Sequence, residues 1–247
     1  MKVVNKMYGG EVEVVFESGR HTYTCGGKII KSVTKVLDVI SKPWLVPWAA
    51  KVTVEKAAEL LSPGKAYDEL ELINILDTAK KASYVTKKSA GDIGTLVHNQ
   101  VEKIVKGQTP DNLFNVEANA AVGRFTDWAI GNKIDFLLSE QMVYSRKYNF
   151  CGTLDFACRI DKKLVLGDLK TSNQIDKVNY GAQLAAYRLA REEEFGEKFD
   201  RCILVRTGKK EAEFELWEPS EDEIQMYKNV FMSALALSNA IDLVGGK

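Results

Sequence analysis

Between Gly152 and Lys170 the chain writes two apolar strands joined by a tight turn, and each strand carries one aspartate. The first, Gly152 to Ile160, opens Gly152-Thr153-Leu154-Asp155-Phe156-Ala157. The second, Lys163 to Lys170, contains Leu164-Val165-Leu166-Gly167-Asp168-Leu169-Lys170, and Asp161-Lys162 turns the chain between them. A carboxylate at the end of a Leu-Val-Leu-Gly run is costly to bury unless a cation or strong hydrogen bonds hold it. Neighbouring strands can bring Asp155 and Asp168 side by side, where their repulsion calls for a metal, and oxygen ligation favours Mg²⁺ or Mn²⁺. Lys170 lies two residues after Asp168 and so shares its strand face. There an ammonium can orient a water or stabilise charge developing on phosphorus. Asp161-Lys162-Lys163 repeats the same Asp-x-Lys spacing but sits in the turn with no acidic partner upstream, and it reads as solvated surface.

The surrounding pattern frames this hairpin. Glu11 to Phe16 alternates as a strand, and His21 to Cys25 returns after Ser18-Gly19-Arg20; His21 reads as a structural residue of this hairpin. From Ser32, an N-cap, to about Gly107 the period is helical, broken at Pro43, Pro47 and Ser62-Pro63-Gly64. Helices are expected at Gly91–Lys106 and Val116–Ile130, then a strand over Leu137–Tyr144 and the two aspartate strands. A helix at Asn179–Glu194, strands at Cys202–Arg206 and Glu213–Trp217, and a helix at Ser220–Ala240 complete a βββαββα order. The fold class is therefore α/β with a helical N-terminal elaboration. Two polar pairs at i, i+4 join the constellation: His98 with Glu102 on an upstream helix, and Gln183 with Tyr187 on the helix after Lys170.

In this order, His98-x-x-x-Glu102, Gly152-x-x-Asp155, Asp168-x-Lys170 and Gln183-x-x-x-Tyr187 resemble the PD-(D/E)XK nuclease superfamily, in particular its RecB-like exonuclease branch. Motif similarity covers residues 91 to 190 well. Ser32-Val33-Thr34 and the tryptophan segment Lys42 to Trp48 look loosely similar to phage-type and mitochondrial genome maintenance exonucleases. The resemblance implies a restriction-endonuclease-like core, a mixed central sheet flanked by helices, in one nuclease domain over 1–247, with 1–90 a hairpin plus helical elaboration and 91–247 the core. It implies metal-dependent hydrolysis of DNA phosphodiesters, exonucleolytic, in phage or bacterial recombination or processing. His98, Asp155, Asp168 and the carbonyl of Leu169 would hold two Mg²⁺ or Mn²⁺ ions. Lys170 would act on water, and Gln183 and Tyr187 would support the site. Leu154 replaces the proline of the superfamily's name, and the cysteines Cys25, Cys151, Cys158 and Cys202 lack cluster spacing, so no iron–sulfur cluster is expected. A catalytically silent DNA-end-binding or interaction module and a structure-specific endonuclease are the alternatives.

Other residues keep two readings. Glu102 can pair with Lys103 or Lys106 instead of serving the site, and Glu140 can contact metal or face solvent. Trp44 and Trp48 suit a core or a base-stacking platform. Lys80, Lys81, Lys87 and Lys88 suit a solvated face or phosphate contacts. The 34 Lys+Arg balance 34 Asp+Glu, which argues against a protein that coats nucleic acid through uniform basicity. The balance is uneven: residues 1–90 carry 14 basic against 10 acidic residues, whereas 191–225 carry 6 against 12. No apolar run reaches the roughly 20 residues of a membrane span and the N-terminus lacks a signal-like apolar region. A cytoplasmic protein is therefore expected, and the resemblance adds a bacterial or phage-infected cell, a DNA substrate with a free end, and a recombinase or single-strand-binding protein as candidate partner.

Overall fold

A computed structural model describes residues 2–208 and 213–245. The chain folds as two units, one of residues 1–40 with 96–247 and one of residues 41–95.

The larger unit is built on a mixed sheet. β1 (Lys2–Met7), β2 (Val12–Glu17), β3 (Thr22–Cys25) and β4 (Lys28–Ser32) form an antiparallel meander. It leads into α1 (Val33–Leu37), which Ser32 caps by accepting a hydrogen bond from the Lys35 amide. Next come the end of α3 (Glu69–Val105), α4 (Val116–Gly131), β5 (Asp135–Ser145), β6 (Phe150–Ile160), β7 (Lys163–Lys170), α5 (Lys177–Phe195), β8 (Arg201–Thr207), β9 (Phe214–Trp217) and α6 (Glu221–Val244). The order of strands is β1-β2-β3-β4-β6-β7-β8-β9, with β5 also on β6. The pairs β4–β6 and β7–β8 are parallel and the others antiparallel. The α/β class and the central mixed sheet flanked by helices therefore match the expectation.

β6 organises the sheet. One of its edges pairs with β5 from Phe150 to Arg159. The other edge is divided: Phe150 and Cys151 pair with β4, Phe156 to Ile160 pair with β7, and residues 152–155 pair with neither. β6 also turns over within this gap. Leu154 belongs to the apolar cluster that also holds Leu184 and Ala185 of α5 and Phe231 of α6. Phe156, two residues on, packs instead among Phe125 and Trp128 of α4 and Phe136 of β5. A regular strand keeps i and i+2 on one face, so the reversal falls at Asp155. Opposite it on β5, Glu140 adopts φ +47°, the left-handed region that a non-glycine residue seldom occupies. Gly167 lets the Phe156 ring cross its backbone, since a Cβ there would lie 2.0 Å from that ring.

In the second unit lie α2 (Leu45–Leu60) and the stretch of α3 from Glu69 to Thr95. Two expectations are corrected here. The helix read as beginning at Gly91 continues without a break from Glu69, because a single glycine costs about 1 kcal/mol in a helix and does not end one. Pro47, read as an interruption, lies in the first turn of α2, where its missing N–H has no helical acceptor to lose. β1 and β4 are strands where the sequence suggested none.

Candidate active site

Three acids line up across three strands. Glu140 and Asp155 face each other between the pairs Ser139–Phe156 and Gln141–Leu154. Asp155 and Asp168 occupy the next step beyond the Phe156–Gly167 pair of β6 and β7. The row thus crosses the stretch where β6 has no second strand partner. His98, near the end of α3, points into it: Nδ1 lies 3.7 Å from Glu140 Oε1 and 3.7 Å from Asp155 Oδ1. One ligand atom from each of His98, Glu140 and Asp155 lies within 4.8 Å of the others. Side-chain exposure falls along the row, from 33% at Glu140 through 13% at Asp155 to 1% at Asp168, so solvent reaches the site from the Glu140 end.

Each acid is anchored differently. Asp155 Oδ2 accepts a 2.7 Å hydrogen bond from the Leu169 amide, which ties β6 to β7 across the gap. Neither oxygen of Asp168 accepts a well-directed hydrogen bond, although Lys170 Nζ lies 2.5 Å from Oδ2 as an ion pair. Lys170 also lies over the Tyr180 ring of α5, 5.2 Å from its centroid. On α5, Gln183 Nε2 donates a 2.8 Å hydrogen bond to Tyr187 Oη, as their i, i+4 spacing allows. The Tyr187 ring lies against β6 at Gly152, where a Cβ would come 2.6 Å from Cε1.

Electrostatics follow from this crowding. Burial alone would lower the His98 imidazole, yet the Asp155 and Glu140 carboxylates raise it to about 9. Burial pushes the Asp168 carboxyl up to about 6, Lys170 pulling it down and Asp155 pushing it further up. Burial would depress the Lys170 ammonium, but Asp168 and Asp155 outweigh it and hold it above its ordinary value. Burial raises the Tyr187 phenol well above its usual range, with Asp168 and Asp155 adding to the rise. Three carboxylates thus face one lysine and one histidine. The partnerless Oδ1 of buried Asp168 and the grouped His98, Glu140 and Asp155 atoms are donors a hard divalent cation would satisfy, so the residues fit Mg²⁺ or Mn²⁺.

Of the residues singled out from sequence, His98, Glu140 and Asp155 form one group, Asp168 and Lys170 a buried pair, and Gln183 and Tyr187 a hydrogen-bonded pair. Glu102 forms an ion pair with Lys106. In the second unit, Trp44 stands at the N-cap of α2 and is 48% exposed, Trp48 is half-buried in α2, and Lys80, Lys81, Lys87 and Lys88 are exposed on α3. Sequence reasoning missed Tyr180, whose signal was its place three residues before Gln183, one turn along the same helix face. It also missed Tyr23, whose hydroxyl lies 3.0 Å from Thr153 Oγ1 beside the gap and which no local pattern marks. Among the described residues no helix is long and apolar enough to cross a membrane.

No protein-family model matches the chain, and no curated protein matches it significantly. Among solved structures it is similar to a protein from Eubacterium rectale provisionally described as an exonuclease, at 13% identity over 81% of this chain and 87% of that one, with a TM-score of 0.42. It is also similar to an alkaline exonuclease from Laribacter hongkongensis, at 11% identity over 79% of this chain and 93% of that one, with a TM-score of 0.33.

Proposed function

We propose that the chain is a divalent-metal-dependent deoxyribonuclease with a restriction-endonuclease-like core, acting as an exonuclease. One observation carries the reading: three carboxylates from adjacent strands converge with His98 and Lys170 at the unpaired stretch of β6. His98, Asp155 and Asp168 would hold the metal, with Glu140 at the open end and the Leu169 carbonyl beside them. A divalent cation bound there neutralises phosphate charge and eases attack by water. Lys170, held by Asp168 in the buried part of the site, carries a fixed positive charge that can meet the charge developing on the phosphoryl oxygens or orient the attacking water. Gln183 and Tyr187 brace the wall on the α5 side, with Tyr187 seated on Gly152. Lys80, Lys81, Lys87, Lys88, Trp44 and Trp48 supply DNA contacts in this reading, and sequence resemblance to phage-type exonucleases supports a role in phage or bacterial DNA processing.

Degradation of end-labelled DNA with Mg²⁺ or Mn²⁺ tests the proposal. Wild type should release label only with the metal, and Asp168→Ala and Lys170→Ala should abolish release. Metal-independent cleavage, or cleavage surviving both substitutions, would sink the assignment. A covalently closed circle should resist digestion, and its cleavage would make the enzyme an endonuclease.

A further inference from the structure

The second unit carries the lysine surface proposed above to contact DNA, and one side chain among those lysines narrows which form of DNA it takes. Residues 78–91 of α3 include four lysines and no acid. Lys80, Lys81, Tyr84, Lys87 and Lys88 are spaced by three and four and so share one helix face. All five are exposed, and Tyr84 is 70% exposed. The opposite face is marked by buried Ala79 and Ile93 and by half-buried Ala82. Tyr84 therefore has no core to fill: a ring stands in the open with two lysines one turn before it and two one turn after. Lys88 is ion-paired with Asp92 at 2.9 Å, both groups exposed, while among the described residues Lys80, Lys81 and Lys87 make no ion pair. Asp77 and Asp92 bound the basic stretch at its two ends.

We propose that this face binds single-stranded DNA, with Tyr84 stacking on one unpaired base and the four lysines contacting phosphates on either side. The choice of DNA rests on the nuclease reading; the choice of a single strand rests on the ring. Charge alone would serve a duplex equally well, but duplex bases hide their faces in the stack, whereas a single strand offers them to an exposed aromatic side chain. Lysines flanking the ring by one turn, about 5 Å along the helix, complement the phosphates that accompany that base.

The test measures anisotropy of end-labelled oligo-dT, a blunt duplex and an abasic strand, all of one length, with the full chain in EDTA. Wild type should prefer oligo-dT over both. Tyr84→Ala should weaken oligo-dT binding about 5- to 100-fold and leave the abasic strand unchanged, while Tyr84→Phe keeps wild-type affinity. Alanine at an exposed helix position preserves the fold. Lys80→Gln with Lys81→Gln should lower the slope of log K against log salt by about 1.4, at ~0.7 per contact on single strands. Unchanged oligo-dT binding by Tyr84→Ala, or equal wild-type affinity for all three ligands, overturns the proposal. Binding needs no turnover, so an inactive wild type with this binding pattern would refute the nuclease reading and leave the surface standing.

Discussion

Gly152→Ala tests how tightly the site wall is built. The new methyl would lie 2.6 Å from Tyr187 Cε1 and 3.4 Å from Val33 Cγ2. Ordinary contact with the ring needs it to retreat by nearly 1 Å. It has little room, because Tyr187 is 4% exposed and its hydroxyl is held by Gln183 at 2.8 Å. Overpacking of this kind costs about 1–3 kcal/mol. At roughly 2–4 °C per kcal/mol for a chain of this size, the melting midpoint should fall by about 2–12 °C. Thermal melts of four proteins read the origin of the loss: wild type, Gly152→Ala, Tyr187→Leu and the double variant. If the methyl meets the ring, the Gly152→Ala penalty shrinks in the Tyr187→Leu background, because the ring edge is gone. Cleavage by Gly152→Ala should fall even well below its melting point, since the displaced ring no longer braces Gln183. A wild-type midpoint, or the same penalty in both backgrounds, would refute the reasoning.

Glu193 accepts hydrogen bonds from Tyr8 Oη at 2.8 Å, Ser145 Oγ at 2.5 Å and the Lys147 amide at 2.9 Å. Glu193→Ala strips all three donors and should cost about 2–4 kcal/mol in urea unfolding, with cleavage intact at low temperature; an unchanged unfolding midpoint would contradict it. The Arg188 guanidinium holds the Glu221 carboxyl below its ordinary 4.5. A lowered carboxyl contributes stability above its unfolded value that is lost as pH falls through the folded one. Glu221→Gln should therefore destabilise by under about 1 kcal/mol at pH 7, the pair being largely exposed on the Glu221 side. At pH 3 that difference should shrink, and equal losses at both pH values would count against the pair. With Lys170 over its ring, Tyr180→Leu should lower kcat several-fold, an effect of about 1 kcal/mol, and Tyr180→Phe should restore it. In thermal melts, a Lys170→Met background should abolish the difference between Leu and Tyr at 180, and full additivity there would refute the contact.

What the sequence discloses depends on how far each feature reaches along the chain. β6, β7 and α5 are legible because period-2 and period-3.6 patterns are local, and the odd acids in them stand out against apolar neighbours. β4 is hidden because only Ile30 of its paired isoleucines is buried, at 4%, while Ile29 is 74% exposed. The unbroken α3 is hidden by Gly91, a local signal that the rest of the helix overrides. Glu140 could be suspected from its type but not aimed, since its left-handed backbone belongs to the β5–β6 register and to nothing nearby in sequence. Tyr23 is wholly illegible: 130 residues separate it from Thr153, and only folding joins them.

The division of β6 between β4 and β7 also bears on how the chain is made. The β1–β4 meander leaves the ribosome well before its partner, since the strand that receives β4, through Lys31–Phe150 and Ser32–Cys151, is synthesised about 120 residues later. Met142, Tyr144 and Cys151, which complete the apolar cluster over Met7, Val14, Tyr23 and Ile30, arrive equally late. Throughout that interval the meander has an open strand edge and an uncovered greasy face, both invitations to pair with another nascent chain. Closing so long a loop also makes this parallel docking a slow event. Shielding of the β1–β4 segment until β6 appears should therefore favour productive folding of the chain.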